Sequence, residues 1–312
     1  MQDEGAAKGT GRRAAWPLAA LFCALVAGAP RAHGETFAPA SDMIGAPRLY
    51  VSDGSQPLMY VARAHDLGLL EVMAANPGVD PWVPGAGTPV MLPTAHLLPD
   101  APRKGLVINL AELRIYFFPA DGGSVQSFPI GVGREGFTTP LGETKIVRKQ
   151  VDPTWRPTEG TRAAAPHIPA VVPPGPSNPL GDRALYLGWP TYAVHGTNKP
   201  WGVGRRVSRG CIRLYPEDIK ALYELVPVGT PVTVVHQQVK LGWQDAQLYL
   251  EVHPDHAQLD ALEATGNFVP GLEADATPLI LDTAGSEADR LDWDVIRATL
   301  KQERGLPVRI TR

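Results

Sequence analysis

Three short runs of β-branched and aromatic residues lie close together in the middle of this chain, and they constrain its fold more than any other feature. The runs are 106–110, 113–118 and 125–130. Two residues join the first pair of runs, and Asp121-Gly122-Gly123, a hairpin-type turn sequence, precedes the third. Strands joined by such short connections pair in antiparallel fashion. The sequence therefore predicts an antiparallel β-sheet in this part of the chain.

Strand-like runs continue further along the chain. Those at 142–148, 185–187 and 231–236 have the same character, and one helix is predicted at 216–226, where a proline opens the first turn. Glycine and proline each number 32 among 312 residues, which exceeds average usage and is typical of β-rich proteins with long loops. We therefore predict a mainly β domain at 104–236, an antiparallel sandwich or barrel-like fold with one packed helix.

A segment dense in proline and glycine, 152–181, interrupts the predicted strands. Irregular segments of this length inside a compact domain are usually functional. The segment is therefore predicted to form a wall or lid of a cleft, and its His167 is a candidate cleft residue.

Cysteine usage singles out one side chain. The chain has two cysteines, and Cys23 lies in a predicted leader, so Cys211 would be the thiol of the mature chain. A lone thiol in a secreted protein is a buried side chain, an intermolecular link or a reactive nucleophile. Arg209 and Arg213 lie beside it in sequence, and nearby positive charge lowers the pKa of a thiol. Gly210 permits close backbone approach, so the amides of Gly210 and Cys211 are predicted oxyanion donors.

A histidine precedes this cysteine by sixteen residues. His195 follows the strand-like run 192–194 and stands before a loop-forming stretch, 196–204. That separation is long enough for a strand end and a loop to place imidazole beside sulfur, and imidazole is the usual base for a thiol nucleophile. A histidine with a purely structural role is the alternative.

The residues around this pair resemble a known signature. His195-Gly196 and Ser208-Arg209-Gly210-Cys211-Ile212-Arg213 resemble the motif of the L,D-transpeptidases, the YkuD-type catalytic domains of bacterial cell-wall enzymes. The family has a second histidine where this chain has Arg209. The resemblance extends over roughly 43–253, and the segments similar to the ErfK/YbiS-like periplasmic branch are 107–110, 131–133, 139–142, 153–155, 171–175, 178–181 and 226–231.

The resemblance implies a cysteine-dependent acyltransferase. Cys211 would form a thioester with the third residue of a peptidoglycan stem tetrapeptide and release D-Ala, and the acyl group would then pass to an amine. His195 would be the base, and the backbone carbonyl of Gly196 would complete a triad. The predicted oxyanion and substrate-binding residues are Tyr192, Ser208, Arg209, Gly210 and Arg213.

The resemblance leaves the acceptor open. Another stem peptide would give a crosslink, and the C-terminal lysine of an outer-membrane lipoprotein would give a protein anchor. Water would make the enzyme an L,D-carboxypeptidase or endopeptidase. A non-catalytic cell-wall-binding adaptor, with Cys211 merely packed, is the remaining alternative. No cofactor is expected, and no metal site, because His253 and His256 lack further ligands at suitable spacing.

The chain begins with features of a secretory signal peptide. Lys8, Arg12 and Arg13 precede a mostly apolar run at 14–30, and small residues suited to cleavage follow it. Residues 1–34 are therefore predicted to direct export to the periplasm, where the protein would associate with the cell wall. No later run is long enough to span a bilayer. With 29 basic and 32 acidic residues, the chain has no basic excess for nucleic-acid binding.

A small module is predicted before the β domain, at 43–96. Strand-like runs at 49–51 and 89–92 enclose helix-like runs at 57–66 and 69–75. This βααβ order resembles a LysM module, which binds cell-wall glycan. A structural appendage that binds nothing is the alternative.

The remaining residues, 237–312, form a C-terminal extension of unknown role. An edge strand is predicted at 248–253 and helical structure at 287–304. No motif in this extension indicates an activity.

Overall fold

The computed structural model describes residues 35–37, 41–271 and 275–312. The predicted signal peptide, 1–34, lies outside these residues. Among the helices of the described chain, none is both long and apolar enough to cross a membrane. The described chain consists of an N-terminal module, a large sheet with a helix packed on it, and a small C-terminal sheet accompanied by helices.

The N-terminal module has the predicted order of strand, helix, helix and strand. Its elements are β2 (Met43–Gly45), β3 (Arg48–Asp53), α1 (Leu58–Ala64), α2 (Leu69–Ala75), β4 (Ala86–Leu92) and β5 (Ala95–Leu97), and β1 (Glu35–Phe37) precedes them. β3 pairs with β4 and β2 pairs with β5, both in antiparallel fashion. The helices bury Leu58 and Leu70 in a core shared with the large sheet.

α2 has the bounds that the sequence predicts because Asn76 ends it. The Asn76 side-chain amide donates to the Val72 carbonyl at 2.8 Å and to the Met91 carbonyl at 2.7 Å. Its side-chain oxygen accepts from the Met91 amide at 2.7 Å. These bonds satisfy carbonyls at the helix end and attach the helix to β4.

The large sheet has nine strands. In chain order they are β1, β6 (Gly105–Asn109), β7 (Arg114–Phe118), β8 (Val125–Pro129), β10 (Gly142–Val151), β11 (Arg183–Leu187), β12 (Ala193–His195), β14 (Ile212–Arg213) and β15 (Pro231–Val235). Across the sheet the order is β1-β8-β7-β6-β15-β10-β11-β12-β14. A separate parallel pair is formed by β9 (Val132–Gly133) and β13 (Arg206–Ser208).

The prediction of a mainly β domain is confirmed, but the sheet is mixed rather than wholly antiparallel. β15 runs parallel to β6, with Val232 opposite Leu106, and β12 runs parallel to β14, with His195 opposite Arg213. Parallel neighbours need long connections. Most of the domain lies between β6 and β15. The loop at 196–211, which we call the signature loop, connects β12 to β14. Local sequence patterns do not reveal pairings between such distant segments.

The predicted packed helix is α4 (Pro216–Leu225). Pro216 occupies the first turn, where its missing N–H is no loss, and Glu217 places negative charge near the positive end of the helix dipole. Ile219 and Leu222 are fully buried in the core of the large sheet. One apolar side of α4 therefore covers the sheet.

The C-terminal extension is an ordered subdomain. Its elements are β16 (Val239–Gln244), β17 (Gln247–Val252), α5 (His256–Thr265), α6 (Thr277–Ala284), α7 (Trp293–Gln302) and β18 (Val308–Arg309). The predicted edge strand is wrong, because β17 is central and pairs with both β16 and β18. β18 comes from the chain end, which local pattern does not connect with β17. The helical structure predicted at 287–304 is divided into a 3₁₀ helix, Gly285–Arg290, and α7, because the Asp292 side chain caps the start of α7.

Four charged or titratable residues connect the three parts of the chain, and we call Glu112, Lys240, Glu251 and His253 the junction cluster. Lys240 Nζ lies 2.5 Å from the Glu112 carboxylate and 2.9 Å from that of Glu251. Glu251 also accepts from the Leu97 amide at 2.5 Å and lies 2.6 Å from His253 Nε2. The side chains of Glu112, Lys240 and Glu251 are fully buried.

Candidate active site

The ends of β12 and β14 bring the two predicted catalytic residues to one place. β12 ends at His195, and β14 begins directly after Cys211. In the parallel pair Val194 lies opposite Ile212, and the Leu214 amide donates to the His195 carbonyl at 2.9 Å. The side chains of His195 and Cys211 line the same cavity. The loop between His195 and Cys211 therefore leaves the end of β12 and returns to the neighbouring strand, β14.

His195 is buried and held in one orientation by a backbone carbonyl. Its Nδ1 lies 2.6 Å from the Gly196 carbonyl oxygen, the group that the resemblance implies as third triad member. A carbonyl accepts only, so Nδ1 carries the proton and Nε2 is left unprotonated. Burial, and secondly the charge of Arg213, lowers the pKa of His195 to about 3. The imidazole is therefore neutral at neutral pH and able to accept a proton.

Cys211 is partly exposed and carries a protonated thiol. Its S–H donates to the Thr191 carbonyl at 3.4 Å, and the Ala193 amide donates to the sulfur. Burial raises the pKa of Cys211 despite opposing contributions from that amide and from Arg213. The sequence-based expectation of a lowered thiol pKa is therefore wrong. Loss of hydration outweighs the nearby positive charge.

The turn that carries Cys211 is fixed by hydroxyl groups. Ser208 is buried, and its Oγ donates to the Cys211 carbonyl at 2.5 Å and accepts from the Gly210 amide at 3.1 Å. Thr139 Oγ1 donates to the Gly210 carbonyl at 2.8 Å. Ser208 thus braces the backbone beside the thiol instead of facing a substrate. Because the Gly210 amide is engaged, the Cys211 amide is the better placed of the two predicted oxyanion donors.

Gly210 occupies a position that a larger residue would disturb. Its φ is 98°, a conformation that L-residues with side chains rarely adopt. A Cβ added there would lie 2.8 Å from Cε1 of Tyr192. Tyr192 itself packs edge-on against Trp189, and its hydroxyl donates to the Thr138 carbonyl at 3.4 Å. The structure thus places Tyr192 against the cysteine turn.

Arg209 lines the same cavity as Cys211 and packs against the side of that cavity. Its guanidinium lies 4.8 Å from the centroid of the Phe137 ring, and its Nη1 donates to the Gly160 carbonyl at 3.3 Å. Gly160 lies in α3 (Glu159–Ala164), within the segment 152–181. Arg209 therefore links the cysteine turn to that segment.

The cavity that contains His195 and Cys211 has a volume of about 890 Å³. As predicted, the segment 152–181 forms one of its walls. This wall is held together by Asn178, whose side-chain amide donates to the Pro153 carbonyl at 2.7 Å and to the Pro173 carbonyl at 3.1 Å. His167, the other candidate of this segment, is exposed and is not part of the cavity lining.

Arg213 lines the cavity together with His195 and Cys211. It is half-buried, and burial lowers its pKa. Its Nε has no hydrogen-bond partner within the described residues. Because the side chain also lines the cavity and forms no ion pair within the described residues, its guanidinium is suited to bind an anion that arrives with a ligand.

The structure adds cavity residues that the sequence does not single out. These residues lie on strands and loops outside the motif at 208–213, and they are Phe137, Arg148, Gln150, Trp155, Arg156, Tyr186 and Thr191. No local motif marks them, because their common location arises from the pairing of β10 with β11 and from the path of the 152–181 wall. An arginine on an otherwise strand-like run, such as Arg148, is the one local signal available.

The N-terminal module packs against the loop between His195 and Cys211. The rings of Tyr60 and Trp201 have centroids 4.6 Å apart, and the Leu70 amide donates to the Gly204 carbonyl at 3.3 Å. A Cβ on Gly204 would lie 2.2 Å from the Cα of Gly68, so the two backbones are in close contact. The N-terminal module therefore supports the signature loop through contacts at Trp201 and Gly204.

One group of side chains in the described chain has the spacing of a metal site. Single ligand atoms of His96, Glu112 and Glu251 lie within 4.8 Å of one another. Lys240 Nζ lies 2.5 and 2.9 Å from the two carboxylates, so an ammonium group already pairs with both of them. None of these residues lines the cavity around Cys211. We therefore interpret the group as part of the structural junction.

Comparisons with known proteins extend over most of the chain. The YkuD family model, an L,D-transpeptidase catalytic domain, matches residues 103–234. The probable L,D-transpeptidase YbiS of Escherichia coli K12 is 42% identical over 262 residues, covering 82% of this chain and 84% of that protein. The probable L,D-transpeptidase ErfK/SrfK of the same strain is 41% identical over 263 residues, with 82% and 83% coverage. The probable L,D-transpeptidase YcfS is 37% identical over 315 residues and covers 95% of both chains.

Proposed function

Because this chain belongs to the L,D-transpeptidase family of cysteine-dependent acyltransferases, we propose that Cys211 and His195 transfer an acyl group from a peptidoglycan stem tetrapeptide to an amine. One observation carries the assignment of roles. The imidazole of His195 is neutral, is oriented by the Gly196 carbonyl at 2.6 Å, and lines one cavity with the thiol of Cys211. A neutral, oriented imidazole that shares a cavity with the thiol supports the assignment of His195 as base and Cys211 as nucleophile.

The first step forms a thioester and releases D-Ala. Nε2 of His195 takes the thiol proton while the sulfur attacks the carbonyl carbon at the L-centre of the third stem residue. A tetrahedral oxyanion forms. The C–N bond to D-Ala then breaks, and the imidazolium returns the proton to the departing amine. Cys211 is left acylated, and His195 is neutral again.

The second step transfers the acyl group. An acceptor amine gives a proton to Nε2 of His195 and attacks the thioester carbonyl. The C–S bond breaks, and the imidazolium protonates the departing thiolate. The products are an amide and the free thiol, so the enzyme returns to its starting state.

The oxyanion of both steps is assigned to the Cys211 amide. Within the described chain this amide donates to no other group, whereas the Gly210 amide donates to Ser208. A preorganised N–H aimed at the developing charge contributes most where water is excluded. Ser208 supports this role indirectly, because its hydroxyl holds the Cys211 carbonyl at 2.5 Å and so fixes the local backbone.

The remaining regions are assigned roles that fit a cell-wall enzyme. Residues 1–34 have the sequence of a secretory signal, which supports action in the periplasm. The βααβ order at 43–96 supports a LysM-like module that holds the enzyme on glycan. The acceptor is a second stem peptide or the lysine of an outer-membrane lipoprotein. The catalytic domain spans 104–236, and 237–312 serves as a supporting extension.

Mass spectrometry of residues 35–312 with tetrapeptide muropeptides tests the proposal, with Cys211→Ala as the matched variant. We expect wild type, but not Cys211→Ala, to release D-Ala and to form a new amide when an amine acceptor is present. Loss of D-Ala with uptake of water alone, even with acceptor, would indicate a carboxypeptidase. Absence of any product from wild type would contradict the proposal and favour a non-catalytic adaptor.

A further inference from the structure

The cavity around Cys211 is lined by an unbalanced set of charges. Its described lining includes four arginines and no aspartate or glutamate: Arg148, Arg156, Arg209 and Arg213. Elsewhere in the described chain, arginines such as Arg63, Arg205 and Arg206 pair with carboxylates, but these four form no such ion pair. The chain as a whole has 32 acidic and 29 basic residues. The positive cavity is therefore a local feature and does not reflect the overall charge.

Cationic groups that share one cavity repel each other unless an anion joins them. Arg213 shows this most clearly, because it is half-buried, burial lowers its pKa, and its Nε has no partner in the described residues. It lies opposite His195 in the parallel strand pair, next to the reacting thiol. A carboxylate close to the scissile bond would pair with the charge of this guanidinium.

Two further arginines, Arg148 and Arg156, are exposed and lie at the rim of the cavity. The guanidinium of Arg148 lies 3.6 Å from the centroid of the Tyr186 ring, and its Nη1 donates to the Gln150 side chain at 2.5 Å. Arg156 follows Trp155, whose backbone exchanges two 2.9 Å hydrogen bonds with Val172. One arginine thus stands on β10 and the other on the 152–181 wall.

We propose that the acyl donor is recognised as a polycarboxylate, and that Arg148 and Arg156 are its specificity-determining residues. Arg213 takes the carboxylate of the leaving D-Ala, and the two rim arginines take a second carboxylate on the acyl side of the scissile bond. This inference rests on the proposed function. It adds that stems with free side carboxylates are preferred over stems in which these groups are carboxamides.

The chemistry of the guanidinium group is the reason for the preference. Arginine only donates hydrogen bonds, and a carboxylate only accepts them and carries the opposite charge. A carboxamide removes the charge and presents an NH₂ donor toward other donors. Because the rim arginines are exposed, salt weakens their effect more than it weakens that of Arg213.

Two synthetic tetrapeptides, identical except that the acyl-side carboxylates are free or amidated, test the inference through the rate of D-Ala release. For wild type we expect kcat/KM to be about tenfold lower with the amidated peptide, with the change mainly in KM. In Arg148→Gln/Arg156→Gln the free peptide should fall to the amidated level, while the amidated peptide changes less than about twofold. Arg162→Gln, on α3 but outside the cavity lining, is the matched control and should behave as wild type.

The outcomes separate the two proposals. Equal kcat/KM values for the two peptides in wild type would overturn the preference while leaving acyl transfer intact. A preference that persists in the double variant would overturn the assignment to Arg148 and Arg156. Failure to release D-Ala from either peptide would contradict the proposed function itself. A preference that shrinks in 0.5 M salt would support recognition by exposed charges.

Discussion

Charged side chains are paired with each other in the junction cluster but not in the cavity around Cys211. In the junction cluster, Lys240 lies within 2.9 Å of two carboxylates, and one of these, Glu251, also binds the Leu97 amide and His253. In the catalytic cavity, Arg213 has a half-buried guanidinium whose Nε has no partner among the described residues. The junction is complete without a ligand, whereas the cavity is not.

The pKa directions reflect this difference. Burial alone would lower the pKa of Lys240, but Glu112 and Glu251 outweigh it and raise the pKa. Burial lowers the pKa of Arg213 and that of His195, and no carboxylate compensates in either case. We therefore assign the paired charges of the junction cluster a structural role. We assign the unpaired charge of Arg213 in the cavity a role in substrate binding.

Removing the cation of the junction cluster should have the largest effect on stability. We expect Lys240→Met to lower the free energy of unfolding by about 3–5 kcal/mol, because two buried carboxylates lose their cation. Turnover per folded molecule should be almost unchanged, since Lys240 does not line the cavity. Urea unfolding and activity assays of the folded fraction check both parts. A stable variant with reduced turnover would contradict the division of roles.

Much of the architecture follows from local sequence. The bounds of α2 were predictable because Asn76-Pro77 ends the helix, and the strands at 105–130 were predictable from their β-branched and aromatic runs. The parallel pairs and the central position of β17 were not, because each depends on a segment more than fifteen residues away. The charges of the junction cluster give no local sign of their mutual contacts.

The candidate site was likewise only partly predictable from the sequence. His195, Gly196 and Cys211 were predicted from spacing and resemblance; in the structure His195 bonds to the Gly196 carbonyl, and the side chains of His195 and Cys211 line one cavity. The pKa of Cys211 was predicted in the wrong direction, because sequence shows the neighbouring arginines but not the burial that outweighs them. Arg209 was predicted as a substrate-binding residue from its position beside the thiol, and the structure places it in the cavity lining with its guanidinium over Phe137, a contact that the sequence does not indicate.

Ser208, a neutral side chain that fixes the cysteine turn from outside the cavity lining, sharpens the comparison further. Ser208→Ala should lower kcat by about tenfold with little change in KM, because the hydroxyl fixes the Cys211 backbone and contacts no substrate. The measurement is steady-state D-Ala release, with Ser177→Ala, an exposed serine, as the control. An increase in KM at constant kcat would instead indicate that Ser208 binds the substrate.

The charge state of His195 and Cys211, the proposed catalytic pair, predicts a weak pH dependence of acylation. The pKa of His195 is lowered to about 3, so the base form persists on acidification, and the raised pKa of Cys211 keeps the thiol protonated at neutral pH. The rate of acylation should therefore vary less than about threefold between pH 5 and pH 8. Single-turnover D-Ala release measures it. A loss of rate on acidification, with a midpoint near the ordinary histidine value of about 6.5, would disagree with a neutral buried base.

The most direct test of the central claim is Arg213→Met, in which stability and turnover are measured on the same preparation. The unpaired guanidinium is unfavourable for the fold and is reserved for a substrate carboxylate, so its removal should separate the two properties. We predict an unfolding free energy that is unchanged or higher by about 1 kcal/mol, together with kcat/KM for D-Ala release that falls at least tenfold. A destabilised variant with wild-type kcat/KM would show that Arg213 serves the fold, and would contradict this account.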